Sequence, residues 1–194
     1  GTPLYVLDKK TIESNCHEYL NTLANYYPEF KVLYASKANA NLGLFQLLHQ
    51  LGMHLDVSSG GELYTAIQAG VPGNQIYFHG NNKSVDELAL AITHQVNIIL
   101  DSESELEKIN KLIATNKSEP ATEVPIMVRL KPEIDAHTHE YIKTGNLDSK
   151  FGIERKDCLA ICKKLCAASG IRFLGIHSHI GSQIFDIDPY NELV

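Results

Sequence analysis

The sequence predicts an α/β fold built on a parallel sheet. Three observations carry that reading. Short apolar runs alternate with longer segments of helical periodicity along the chain. Several of the runs are apolar at both alternating positions, as in strands covered on both faces. Helix-start and helix-stop residues fall between them where the periodicity changes.

The strand candidates, in order, are Leu4–Val6, Val32–Ala35, Leu55–Ser58, Ile76–Phe78, Asn97–Leu100, Ile126–Leu130 and Phe173–His179. Between the first two, Ile12, Cys16, Tyr19, Leu20 and Leu23 repeat at one-face helical spacing, and Pro28 stops the run. Leu44, Leu47, Leu48 and Leu51 form the next helix, closed by Gly52 in the position that favours a left-handed residue. A third carries Leu63, Ala66 and Ile67 and ends at Gly70. Ser84–Glu87 and Ser102–Glu105 both fit the capping box, in which a serine hydroxyl and a later glutamate satisfy free helix-start amides. The second box opens a helix with Leu106, Ile109 and Ile113. Cys158, Cys162 and Cys166 recur every four residues, a stripe on one helix that packing explains better than metal ligation.

Alternating strands and helices imply right-handed βαβ units. An open doubly wound sheet and a (β/α)8 barrel both satisfy them, and 194 residues is short of the roughly 250 typical of the barrel. Seven strands without an eighth would leave unpaired edges, and Tyr190–Val194 reads as the start of a helix. The chain is therefore expected to be part of a longer protein.

Composition narrows the function classes. Apolar residues make up 44%, enough for a real core. A formal charge of −6 with no Lys/Arg run argues against a nucleic-acid or anionic-membrane surface. No apolar stretch approaches the roughly 20 residues that span a bilayer. The start GTPLYVLDKK lacks the form of a signal peptide, and four cysteines do not make a disulfide framework. A cytoplasmic protein is expected.

Reactive groups in parallel α/β folds sit at the C-terminal ends of strands. Three polar constellations occupy such ends. Lys37, in Tyr34-Ala35-Ser36-Lys37-Ala38-Asn39, is expected to be partly desolvated at the tip of an apolar strand. That environment suits a Schiff-base amine, although position alone favours the plainer reading, a rim lysine whose stem covers apolar surface. Asp56-Val57-Ser58-Ser59-Gly60-Gly61-Glu62 joins a glycine pair to a helix start, a place for an anion or merely a tight turn. His177 and His179, two apart on one strand face, are metal ligands, ring-packing residues or structural histidines on this pattern alone. Gly181 and Ser182 then offer a backbone amide and a hydroxyl suited to a phosphate. His137–His139, Arg129 and Lys150 are weaker candidates, with solvated loop or surface charge as the plain alternative.

The ordered set of motifs resembles the fold-type III decarboxylases that use pyridoxal phosphate. The runs are Thr2–Val6, Tyr34–Asn39, Asp56–Leu63, Phe78–Ser84, Asp135–Tyr141, Ser149–Ile153 and His177–Gln183. Each is modest alone; their order along nearly the whole chain is specific. The resemblance implies that residues 1–194 are the incomplete N-terminal portion of a (β/α)8 barrel, whose β-rich C-terminal domain lies outside this chain. It implies pyridoxal 5′-phosphate as cofactor, an amino-acid substrate, and a homodimer with shared active sites. Lys37 matches the cofactor-linked lysine, His179 the histidine stacked on the pyridine, and Ser182 a phosphate contact. Ala35, Asp56, Glu62 and Arg129 match residues lining the cofactor pocket, and Lys150 a position at the dimer boundary.

The His137–Gly145 stretch is similar to the branch acting on meso-2,6-diaminopimelate, which implies L-lysine as product. Ornithine, arginine or carboxynorspermidine on the same scaffold is the near alternative, and a non-catalytic paralogue the further one. A His-x-His metallohydrolase is a third, lacking obvious further ligands. The resemblance also places a Gly-rich phosphate loop, the pyridine-nitrogen partner and a cysteine-bearing motif after position 194, so this stretch alone is expected to be inactive.

Overall fold

A computed structural model describes residues 1–115, 123–132, 150–182 and 184–194. Its elements run α1 (Lys9–Ala24), β1 (Leu33–Ala35), α2 (Leu42–Gln50), β2 (His54–Val57), α3 (Gly60–Gln68), β3 (Ile76–Phe78), α4 (Val85–Thr93), β4 (Asn97–Leu100), α5 (Glu103–Thr115), β5 (Val124–Leu130), α6 (Arg155–Ala167), β6 (Ile171–Ser178) and α7 (Asp188–Leu193). The six strands form one parallel sheet in the order β1-β2-β3-β4-β5-β6.

That order decides between the two architectures left open by periodicity. A doubly wound sheet reverses its strand order at a switch point, with helices on both faces. Here every crossover steps one place in the same direction, as in a (β/α)8 barrel wall. Leu55 and Val57, Ile76 and Phe78, Ile98 and Leu100, and Val124, Ile126 and Val128 all join one core with the helices. The alternate positions therefore face the other, inner side: Ala35, Asp56, Tyr77, Ile99 and Arg129.

Leu4–Val6 is not a strand. These residues are 72%, 101% and 79% exposed and lie outside every element, because a three-residue apolar run finds no ladder or core to join. The other six strand candidates are observed, Ile76–Phe78 and Asn97–Leu100 with the same bounds and the rest with ends shifted by one or two residues.

Helix starts behave mostly as expected. Ser84 and Glu87 complete a reciprocal capping box on α4. At α5 only half of the box forms: Ser102 Oγ accepts the Glu105 amide at 3.3 Å, while the Glu105 carboxylate turns inward. Cys158 is buried on α6, Cys162 half-buried and Cys166 exposed, a graded stripe in which burial raises the Cys162 thiol to about 11. No helix among the described residues is long and apolar enough to cross a membrane.

Candidate active site

Inner-face parity, carried one or two residues past each strand, gathers a polar cluster at one end of the sheet. β1 leads to Lys37, β2 contributes Asp56, and β3 leads to His79. β4 leads to Asp101, β5 contributes Arg129, and β6 supplies His177 and then His179. These are the C-terminal ends of parallel strands, where the fold class puts its chemistry.

The contacts show that the sheet is curved. Strands neighbour one another at about 4.8 Å, so the tips of β3 and β6 would lie roughly 14 Å apart on a flat sheet. Instead the His79 and His177 rings meet edge-on, with centroids 4.5 Å apart and planes at 69°. His79 Nε2 also lies 3.2 Å from Asp56 Oδ1. Arg129 reaches across to Asp101 at 3.7 Å and packs its guanidinium against the Phe151 ring at 4.6 Å.

Burial sets the protonation states. It raises the Asp56 carboxyl to about 6, against the pull of Lys37 and Arg129. It lowers His79 to about 3, aided by His177 and Arg129, and His177 to about 4, aided by Arg129 and His179. Both imidazoles are therefore neutral at pH 7, and the Asp56–His79 approach is a contact between a carboxylate and a neutral ring rather than an ion pair. His179 keeps an exposed face, yet crowding by its neighbours, then Arg129 and Lys37, lowers its pKa. Asp56 Oδ1 and Asp101 Oδ1 are buried with only the His79 and Arg129 approaches to satisfy them, and His177 Nδ1 is buried without a hydrogen-bond partner among the described residues.

The expected site residues fall into two sets. Lys37, Asp56, Arg129 and His179 share one electrostatic neighbourhood: Lys37 and Arg129 each act on both Asp56 and His179. Ala35 stands beside Asp56 in the β1–β2 register. Glu62 is near enough to oppose ionisation of Asp56, but its carboxylate takes the Ser58 amide at 2.6 Å and serves the turn into α3. Gly181 and Ser182 are exposed just past β6, Gly181 at φ +135°, a conformation that favours glycine.

Lys37 corrects one expectation. It lies just past the strand, in a single 3₁₀ turn, Ser36–Ala38, and its side chain is exposed, so the desolvation expected of a strand-tip lysine is not found. Lys150 is exposed, with its ammonium 5.2 Å from the Phe151 ring. Asp135–Tyr141, the His137–Gly145 stretch, Ser149 and Gln183 lie outside the described residues.

Sequence reasoning assigned no role to His79, Asp101 or Lys83, and gave Glu105 only a helix cap. His79 and Asp101 are legible in retrospect, since each sits two residues past an inner-face strand position, Tyr77 and Ile99. Lys83 and Glu105 form a buried ion pair at 2.7 Å beneath the cluster, which no local spacing announces. Among the described residues no group of three or more His, Cys, Asp or Glu is placed to hold a metal ion.

An aromatic anion suits this end of the sheet. Lys37 and Arg129 supply positive charge, His179 an open ring face, and Gly181 and Ser182 an accessible amide and hydroxyl. His177 Nδ1, buried without a hydrogen-bond partner among the described residues, offers a further polar contact.

The family model for the pyridoxal-dependent decarboxylase pyridoxal-binding domain matches residues 9–194. The diaminopimelate decarboxylase of Bacillus methanolicus is 45% identical over 190 residues, covering 96% of this chain and 43% of that protein. That of Synechocystis sp. is 43% identical over 202 residues, covering 100% of this chain and 42% of the relative. Among solved structures, the M. jannaschii diaminopimelate decarboxylase superposes with a TM-score of 0.84 at 35% identity, covering 99% of this chain and 45% of its own. The Helicobacter pylori enzyme complexed with L-lysine gives 0.84 at 31% identity, covering 100% and 48%. The chain spans under half the length of the relatives it matches.

Proposed function

The chain belongs to the pyridoxal-dependent decarboxylase family, and from that premise we propose that it is the cofactor-binding part of an enzyme converting meso-2,6-diaminopimelate to L-lysine and carbon dioxide. The observation that carries the cofactor assignment is the convergence of Lys37, Asp56, Arg129 and His179 at one end of the curved sheet. The substrate rests on the names of relatives matched at 43–45% identity.

Pyridoxal phosphate, when bound, supplies an electron sink for the pair of electrons left as carbon dioxide departs. The chain's own residues bind and orient it. Lys37 Nζ is the amine that would hold the cofactor, and its exposure leaves it accessible from solvent. The His179 ring would lie against the cofactor and orient it, and burial, with Arg129 and Lys37, lowers its pKa and favours the uncharged ring. Gly181 N–H and Ser182 Oγ would hold the phosphate. Arg129, held by Asp101 and Phe151, presents a fixed positive charge to the inner face. Asp56, ionised at neutral pH, balances Lys37 and Arg129, while Ala35 leaves room beside it. Glu62 acts one step back, by holding the Ser58 turn.

We assign the working protein as a cytoplasmic homodimer with Lys150 at the subunit boundary; the resemblance supports this. Borohydride trapping of the full-length protein followed by peptide mapping tests the central assignment. The reduced label is expected on Lys37, with carbon dioxide release from meso-diaminopimelate lost in Lys37→Ala. A label elsewhere, or none, overturns it.

A further inference from the structure

Two charged side chains lie deep under the cluster and touch none of its exposed members. Lys83 and Glu105 side chains are only 1% and 6% exposed and pair at 2.7 Å. Withdrawing both charges from water costs several kcal/mol per ion by general expectation, and a well-packed apolar pair is often as stable or more so. Fold stability alone therefore does not account for them.

Their remaining bonds point to a different task. Lys83 Nζ donates to Gly80 O at 2.8 Å and to Ile99 O at 2.9 Å. Gly80 directly follows His79, and Ile99 lies two residues before Asp101. Glu105 Oε2 accepts the Asp101 amide at 2.8 Å. Lys108 Nζ closes the arrangement on Lys83 O at 3.0 Å. The backbone just after His79 and that leading into Asp101 are thus tied to one buried ion pair. Those two residues are the ones that meet Asp56, His177 and Arg129.

We propose that Lys83 and Glu105 are positioning residues for the cofactor site: their pair sets the spacing between the tips of β3 and β4 and so the placement of Arg129, Asp56 and His177. This rests on the pyridoxal phosphate reading above. Neither residue touches the reacting groups; both act through His79 and Asp101.

The test separates position from stability in the full-length protein. The apo-protein is unfolded thermally, and pyridoxal phosphate is titrated in by absorbance at equilibrium. Lys83→Met leaves the Glu105 carboxylate buried and unpaired, and both melting temperature and cofactor affinity fall. The double variant Lys83→Met/Glu105→Met removes the orphaned charge. Its apo melting temperature returns to near the wild-type value, while cofactor affinity stays about tenfold to a hundredfold weaker, the scale of a misplaced site group.

A double variant that regains wild-type affinity together with stability overturns the proposal. Should the double variant not fold, Lys83→Met/Glu105→Gln, which also removes both charges, takes its place: weakened affinity at near-native melting temperature supports the proposal, and unchanged affinity overturns it. A wild-type protein that takes up no cofactor overturns the underlying reading instead, and shows itself before any variant is made.

Discussion

Arg129 on β5 and His177 on β6 stand opposite each other in register on the inner face, because one residue between them and the start of β6 is left out of the ladder. Ile126 pairs with Phe173 and Met127 with Gly175, so Leu174 is unpaired. Phe173 packs against the helix-side core. On an unbroken strand, His177 would share that face with Phe173, four residues earlier. The bulge reverses the parity and delivers the imidazole to the site.

The first prediction follows from the turn in that bulge. Gly175 has φ +140°, which side-chain-bearing residues rarely adopt, and a Cβ there would meet nothing within 4 Å. Gly175→Ala should therefore cost backbone strain alone, about 1–3 kcal/mol by denaturant unfolding. Leu174→Ala, at a 37% exposed position, should change stability by under about 0.5 kcal/mol. Equal losses in the two variants would show that the bulge backbone is not what matters.

Much of the site was legible because β-strand parity is a sequence property. Asp56 and Arg129 alternate with helix-facing Leu55, Val57 and Val128, and the strand runs place them correctly. His177 was found as a polar pair with His179, yet its face depends on a bulge that no apolar pattern marks. Glu105 reads as a helix cap, since local spacing cannot show that a lysine 22 positions earlier arrives underneath it. Leu4–Val6 fails for the converse reason: apolar residues make a strand only where a neighbouring ladder receives them.

Acid titration gives a second prediction, set by the three groups of the cluster that burial moves furthest. A carboxyl raised from 3.8 to about 6, as Asp56 is, binds more protons folded than unfolded in that window, so alone it makes stability fall as pH rises. His79 and His177, lowered from 6.5 to about 3 and about 4, do the reverse: the unfolded chain binds more protons, and stability rises with pH up to about 6.5. Two imidazoles outweigh one carboxyl, so apo-protein stability should decline on acidification from about 6.5 to 4. Asp56→Asn removes the opposing group and should steepen that decline by less than about 1.4 kcal/mol per pH unit, since the side chain is 31% exposed. Denaturant midpoints across the pH series measure it, and an unaltered slope would falsify the assigned Asp56 shift.

Glu87 joins two helix starts. Its Oε1 accepts the Gly60 amide at 2.7 Å and its Oε2 the Ser84 amide at 2.8 Å, so one carboxylate caps α3 and α4 together. Glu87→Ala should cost about 1–2 kcal/mol, more than one ordinary cap. Gly60→Ala should cost a similar amount by another route, because its Cβ would lie 2.8 Å from Glu87 Cγ and push the carboxylate away. The losses should be strongly non-additive in the double variant, since both remove the same bonds. Simple addition in denaturant unfolding would show that the two sites act separately.

Gly152 supports Arg129 from the outside, and the last prediction separates support from charge. At φ +83°, its amide donates to the Asp101 carboxyl, and a Cβ would lie 3.1 Å from Arg129 O and 3.3 Å from Arg129 Cγ. The next residue, Ile153, is pinned by its amide to Arg129 O at 2.8 Å and by its carbonyl to the Lys131 amide at 2.9 Å. Gly152→Ala must therefore strain the left-handed backbone, at about 1–2 kcal/mol, and also crowd the arginine stem. Arg129→Lys keeps the charge but loses the planar group packed on Phe151. If fixed orientation is what Arg129 contributes, both variants should bind pyridoxal phosphate more weakly, although only Gly152→Ala loses backbone stability. Native affinity in Arg129→Lys would mean that charge alone suffices, and that the Asp101–Gly152–Phe151 setting serves folding rather than the site.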